Sequence, residues 1–214
     1  MAGRIGVVYS QPYPPDKESG AGGYYRMVLK SGAVGTTFAG GAILFALQFK
    51  PANKDGQTYR MQLKKLRLFS LTTTAFGAAQ LVDLYLYKCR GFTGADTSGN
   101  QVLPATLDQK LQTNYQDSLF VGGGDIRMAS TAALSAGTRT PEAQPIMTVC
   151  DMWSSAIGSN SLNDLTFDEH NPPPCLISGE GLEIQNGTAF GGTGKVNFFL
   201  DIAWMEEALG SHGW

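Results

Sequence analysis

The clearest pattern in the chain is an unbroken alternation over residues 196–205. Val196, Phe198, Leu200, Ile202 and Trp204 fall on one side, and Asn197, Phe199, Asp201, Ala203 and Met205 on the other. A period of two held over that length specifies a β-strand. Residues 81–90 repeat the pattern, with Val82, Leu84 and Leu86 facing one way and Asp83, Tyr85 and Tyr87 the other. Residues 59–71 begin in step at Tyr59, Met61 and Leu63, then change phase to Leu66 and Leu68. A phase change inside one apolar run predicts a β-bulge. Shorter strands are predicted at 24–30, 42–50, 146–150 and 181–186. The connections are rich in Gly, Pro, Ser, Asn and Asp: 91–100, 120–125, 154–164 and 170–175. A short helix can be placed near 107–113 or at 131–136. Many strands separated by turns predict an all-β sandwich or barrel.

Residues 1–22 break the pattern. "SQPYPPDKESGAGG" holds Pro12, Pro14 and Pro15 before a glycine-rich patch. Proline removes backbone donors and favours extended chain. These residues read as an extended arm, either a loose tail or a strap lying on a neighbouring subunit, ahead of one domain at 23–214. The 214-residue chain is 43% hydrophobic, enough for a core, yet only 16% charged. Low charge with 27 glycines suits a turn-rich β protein or a subunit that hides surface in an assembly. A net charge of −2 offers no basic field for nucleic acid. The opening residues hold no apolar run long enough for a signal peptide, and the longest apolar stretch, 42–49, is too short to span a bilayer. The expectation is a protein made in a cytoplasm, with no membrane partner.

Six features of the chain could carry chemistry. Gly191, Gly192, Gly194 and Lys195 resemble a phosphate loop, but Ala189 stands at its first glycine, Val196 at its Ser/Thr position, and a strand follows where a helix is required. The stretch reads as a hairpin loop joining 182–186 to 196–205. Cys89, Cys150 and Cys175 are odd in number and lack metal-ligand spacing to His170 or His212, so they read as free thiols. A nucleophile–base pair would have to use His170 with Cys175 or Cys150. The paired carboxylates on offer are Glu180 with Glu183, and Asp168 with Glu169; Glu183, between Leu182 and Ile184, is expected to face solvent. Asp96, Ser98 and Asn100 space oxygens like part of a calcium loop but lack its later Glu, and read as a polar turn. Tyr85, Tyr87, Phe199 and Trp204 fit a carbohydrate platform less well than a core or subunit interface. Phe199 and Met205, opposite the main apolar stripe, predict a strand covered on both sides, by the arm or by another subunit.

The segment "GEGLEIQNGTAFGGTGKVNFFLDIAWMEE" (179–207) resembles the C-terminus of a loose family of tailed-phage virion proteins. "YYRMVLKSGAVGTTFAGGAILFALQF" (24–49), "FGAAQLVDLYLYKCRGFTGADTSGN" (76–100) and "DIRMASTAALSAGTRTPEAQPI" (125–146) fit the same pattern. The resemblance implies a structural subunit without catalytic residues, metal or cofactor. With the strand count, it favours a single jelly-roll-like β-sandwich carrying an extended N-terminal arm. The expected role is a cement or decoration protein on the capsid exterior, a trimer bridging major capsid protein subunits. A minor tail or fibre-base protein and a receptor- or glycan-binding module are the alternatives. Tyr9, Pro12, Tyr13, Pro14 and Pro15 of the arm, with Phe199 and Met205, are the expected interface residues.

Overall fold

The computed structural model describes residues 23–36, 38–51, 58–102, 118–122, 124–154, 156–158, 160–167 and 172–209. Twelve strands run through them: β1 (Gly23–Lys30), β2 (Ile43–Phe49), β3 (Thr58–Thr74), β4 (Gln80–Gly94), β5 (Asn100–Gln101), β6 (Asp125–Met128), β7 (Thr138–Pro141), β8 (Met147–Ser154), β9 (Asn160–Thr166), β10 (Cys175–Ile177), β11 (Glu180–Asn186) and β12 (Lys195–Leu209). Their pairing is nested. β1 pairs with β12, β2 with β11, β3 with β9 and β10, and β4 with β7 and β8, all antiparallel. The chain is therefore one long antiparallel ribbon doubled back on itself. The ribbon then rolls up, because β12 also pairs with β3, and β11 with β4. Two sheets result: β1-β12-β3 with β9 and β10 along the far edge, and β5-β6-β2-β11-β4 with β7 and β8 along the far edge. This is the strand order of a jelly-roll sandwich, and β5 and β6 extend the second sheet beyond β2.

The alternating stripes supply the core. Val82, Leu84, Leu86, Val196, Phe198, Leu200 and Ile202 are all fully buried. The phase change in β3 is a bulge at the position the sequence predicts: Ala203 faces Lys65 but Trp204 faces Leu63, leaving Lys64 as the extra residue. Met61, Leu63, Leu66 and Leu68 thereby all point inward. One end of the core is aromatic. Trp204 stacks on Tyr25 at 5.7 Å and meets Phe120 edge-on at 5.7 Å, and Phe120 meets Phe49 of the opposite sheet at 5.5 Å. Phe120 lies on a 3-10 turn (Leu119–Gly122) that is fixed by Glu206. The buried Glu206 carboxylate accepts from Ser118 Oγ (2.6 Å), the Leu119 N–H (2.6 Å) and Trp204 Nε1 (2.7 Å). A buried carboxylate is tolerated because these donors replace water.

The pattern reading needs two corrections here. Residues 131–136 are not helical; they are irregular and carry an isolated bridge from Leu134 to Ile43. The second helix candidate, 107–113, lies outside the described residues. β9 falls in what reads as a turn-rich connection, because this edge strand has one face in solvent and few apolar residues. Among the described residues no helix is long and apolar enough to cross a membrane.

Trp204→Ala is expected to lower the unfolding free energy by about 3–5 kcal/mol, since it opens a cavity between the sheets and removes a donor from Glu206. Urea unfolding measures this; a loss under about 1 kcal/mol would show that the aromatic cluster is not central to the core.

Candidate functional site

The glycine loop is a crossover between sheets rather than a hairpin. β11 lies between β2 and β4, and β12 between β1 and β3, so the two strands never pair. Alternation identifies a strand on either side of a loop but not the sheet each one joins. Gly192 takes φ +60, the Gly191 N–H donates to Gln80 Oε1 (2.9 Å), and the Phe190 N–H donates to the Phe38 carbonyl (2.9 Å). A Cβ on Gly194 would stand 2.1 Å from the Phe76 ring. Packing and turn geometry account for these glycines, and the exposed Lys195 opens a strand.

Glu180 and Glu183 do not form a pair. They are three residues apart on β11 and face opposite sides of the sheet. Glu180 is held by Lys88 Nζ (3.0 Å), Arg90 and the Ile177 N–H (3.0 Å). Burial pushes its pKa up, but these donors outweigh that and hold it below the ordinary value of 4.5. Glu183 does not face solvent as expected; it is 1% exposed. The 92–102 and 134–141 segments cover that side of the sheet. Arg139 binds Glu183 and Asp96 together, with its guanidinium 4.8 Å from the Phe92 ring centroid. Burial opposes the charge on Arg139, and the bonds to Glu183 and Asp96 more than restore it, raising its pKa. A two-carboxylate glycosidase needs both carboxyl groups facing one cleft, and Glu180 and Glu183 do not face one.

Among the described residues the remaining polar candidates are committed to structure. Asp96 also accepts the Gly137 N–H (3.2 Å), and Ser98 Oγ accepts the Ser135 N–H (2.8 Å), so "ADTSGN" is a polar turn tied to the covering segment. Among the described residues no group of His, Cys, Asp and Glu could hold a metal ion. Burial pushes the Cys89 thiol far up, away from the reactive thiolate. Cys150 is buried with its Sγ 3.8 Å from Ser70 Oγ, and the half-buried Cys175 thiol lies 3.5 Å from the Pro173 carbonyl. His170, His212, Asp168 and Glu169 lie outside the described residues, as do Tyr9, Pro12, Tyr13, Pro14 and Pro15. Trp204 belongs to the core and is no carbohydrate platform.

What stands open is a face of the first sheet. Lys30, Phe199, Phe69 and Leu162 form one cross-strand row, and Val28, Asp201, Arg67 and Asp164 the next. Phe69 and Phe199 tilt against each other at 5.7 Å, and Lys30 Nζ lies 5.2 Å from the Phe199 ring centroid. Arg26 donates to both carboxylate oxygens of Asp201, through Nε and Nη2. Between the rows runs an open groove of about 370 Å³, lined by Val28, Arg67, Phe69, Leu162, Phe199 and Asp201. Val28 is 67% exposed and Leu162 52%. Phe199 thus sits partly exposed in an apolar groove, whereas Met205 is 1% exposed and closed within the chain's own fold. Val28, Phe69 and Leu162 escape a sequence reading because they gather from three strands. Only the register, which alternation does not give, puts them beside Phe199.

No family model and no curated protein sequence matches the chain.

Two outcomes follow from the loop and from Glu180. Gly194→Ala should destabilise the fold by about 1–3 kcal/mol through the clash with Phe76, while Lys195→Ala should stay within about 0.5 kcal/mol of the parent; equal thermal shifts in the two variants would refute the packing account. Because the folded pKa of Glu180 is depressed, its stabilising contribution is full above 4.5 and is lost as the pH falls below that value. Glu180→Gln should therefore flatten the acid limb of a stability-against-pH curve, and an unchanged acid slope would contradict it.

Proposed function

We propose that this chain is a structural subunit of a tailed-phage particle, a cement or decoration protein that docks on the capsid exterior. It would dock through the open face of the β1-β12-β3-β9 sheet. The observation that carries this reading is the groove at Val28, Phe69, Leu162 and Phe199, on a sandwich whose described acids and thiols are held by ion pairs, hydrogen bonds or burial. Apolar surface left outside a core that closes well elsewhere marks an interaction site rather than a packing fault. The jelly roll supports the reading, since shell proteins and lectins both use this sandwich, and so does the resemblance of 179–207 to phage virion proteins. The partner is the major capsid protein, and the subunit acts as a trimer. One such groove gives a modest affinity, and repetition of the contact over a lattice multiplies it into tight attachment.

The test is the copy number of this chain in intact particles, by quantitative mass spectrometry against the major shell protein. A ratio near one, or a simple fraction of one, is expected. A handful of copies would instead assign the chain to the tail or fibre base, and its absence from purified particles would end the virion reading.

A further inference from the structure

We infer that a second site lies on the outer side of the β11 sheet, a polar cleft at Arg139 and Gln185 that takes one neutral sugar unit. The inference goes beyond the docking role and does not depend on it.

The cleft forms where the 134–141 segment folds over β2 and β11, and its volume is about 180 Å³. Arg139, Glu183 and Gln185 supply polar lining, and Ile43, Leu134 and Pro141 supply apolar lining. The polar part is built in advance. The Arg139 side chain is only 4% exposed; Nη1 donates to Asp96 (2.7 Å), Nε donates to Glu183, and the Phe92 ring lies behind the guanidinium. The turn at 135–137, which also lines the cleft, is pressed against this group: a Cβ on Gly137 would stand 2.1 Å from Arg139 Nη1. Ser98 Oγ accepts the Ser135 N–H (2.8 Å) and Asp96 accepts the Gly137 N–H (3.2 Å). Between these two fixed neighbours, Ala136 is held at φ +69, a left-handed conformation that alanine rarely adopts. Such conformations persist where the surroundings over-determine them, and they gather at ligand sites.

The cluster keeps hydrogen-bonding capacity in reserve. Arg139 meets its two carboxylates through Nε and Nη1, and among the described residues nothing accepts from Nη2. Gln185 Nε2 donates to Glu183, and among the described residues nothing donates to Gln185 Oε1. A buried cation with an unmet donor is costly unless something polar enters to meet it.

Charge and size select the ligand. One guanidinium against two carboxylates leaves one net negative charge. An anion is therefore repelled, and a cation brings only donors and leaves Nη2 unmet. A neutral hydroxyl accepts from Nη2 and donates to Oε1 at once. Adjacent hydroxyls on a ring of aliphatic carbons meet both groups while their C–H edges lie on Ile43, Leu134 and Pro141. At ~30 Å³ for each water-sized group the cleft admits about six such groups, enough for most of one sugar ring and well below the ~300 Å³ at which drug-sized ligands begin. No aromatic ring lines it among the described residues, so a flat base gains no stacking there. A free monosaccharide and the end of a glycan chain share this chemistry.

The experiment titrates the ¹⁵N-labelled full chain with glucose, galactose, mannose and N-acetylglucosamine to about 50 mM, enough to saturate a millimolar site. At least one sugar is expected to give saturable amide and side-chain shifts confined to residues 134–141 and Gln185. Glucuronate and methylammonium should bind at least tenfold more weakly than that sugar. Gln185→Met, which removes the acceptor, should weaken binding about tenfold. Ser135→Trp, at an exposed position on the turn, should abolish it, and both variants should keep the parent circular dichroism spectrum. Retained binding of the methyl glycoside identifies a glycan end and its loss identifies a free sugar; both uphold the site. No saturable shifts with any of the four sugars, shifts mapping elsewhere, or equal binding of glucuronate or methylammonium would each overturn the inference.

Discussion

Everything in this fold depends on β12 being hydrogen-bonded along both edges. On one side it pairs with β1 through eight residues, from Gly23 opposite Glu206 to Lys30 opposite Phe199. On the other it runs the length of β3, from Lys195 at Thr74 to Leu209 at Thr58. The last strand thus joins the first strand to the third and closes the rolled ribbon. Backbone pairing of this kind cannot be made piecemeal, because an unpaired N–H or carbonyl inside the sandwich costs as much as a lost hydrogen bond. The long-range pairing also orders the interior: Trp204 reaches Tyr25 and Phe120, and Glu206 anchors the turn that carries Phe120.

Much of this could be read from the residues. Alternation located the interior strands, and the phase change between Leu63 and Leu66 located the bulge. These signals are legible because one face of each strand is fully apolar. β9 was illegible for the converse reason: one of its faces is solvent, and Leu162 is itself exposed. The crossover at Gly187–Gly194 reads as a hairpin in sequence, since two strands flanking a glycine turn look alike whether they share a sheet or face each other. Glu183 shows a further limit. Its position in the strand pattern is that of a solvent-facing residue, and only the chain that folds over it, with Arg139 and Asp96, turns that position into a buried ion cluster. The groove illustrates the same limit at the level of a site. Phe199 stood out as apolar on the wrong side, but the residues around it come from other strands and meet only through register.

The two sheets have been finished differently. Around Glu183 the outer side of the β11 sheet is covered by the chain's own 92–102 and 134–141 segments, with Arg139 neutralising Glu183 and Asp96 beneath them, while Tyr85 and Tyr87 further along that side stay half-exposed. The outer side of the β12 sheet keeps two aromatic rings and two large aliphatic side chains at the surface. Burying charge under a cover requires every partner to be in place, whereas leaving apolar groups open defers their burial to whatever binds. That asymmetry leaves the groove side as the one suited to apolar contact.

The register of β1 against β12 also fixes the polarity of the molecule. Gly23 lies opposite Glu206, so the chain enters the sandwich and reaches its last described strand residues at the same pole, beside the Trp204 cluster. Among the described residues the opposite pole carries connecting loops, with Phe38, Phe76 and Phe190 packed beneath Gly194. The turn around Gly192, where a Cβ would meet nothing within 4 Å, is a place at the loop pole where a foreign peptide could be displayed without disturbing either sheet.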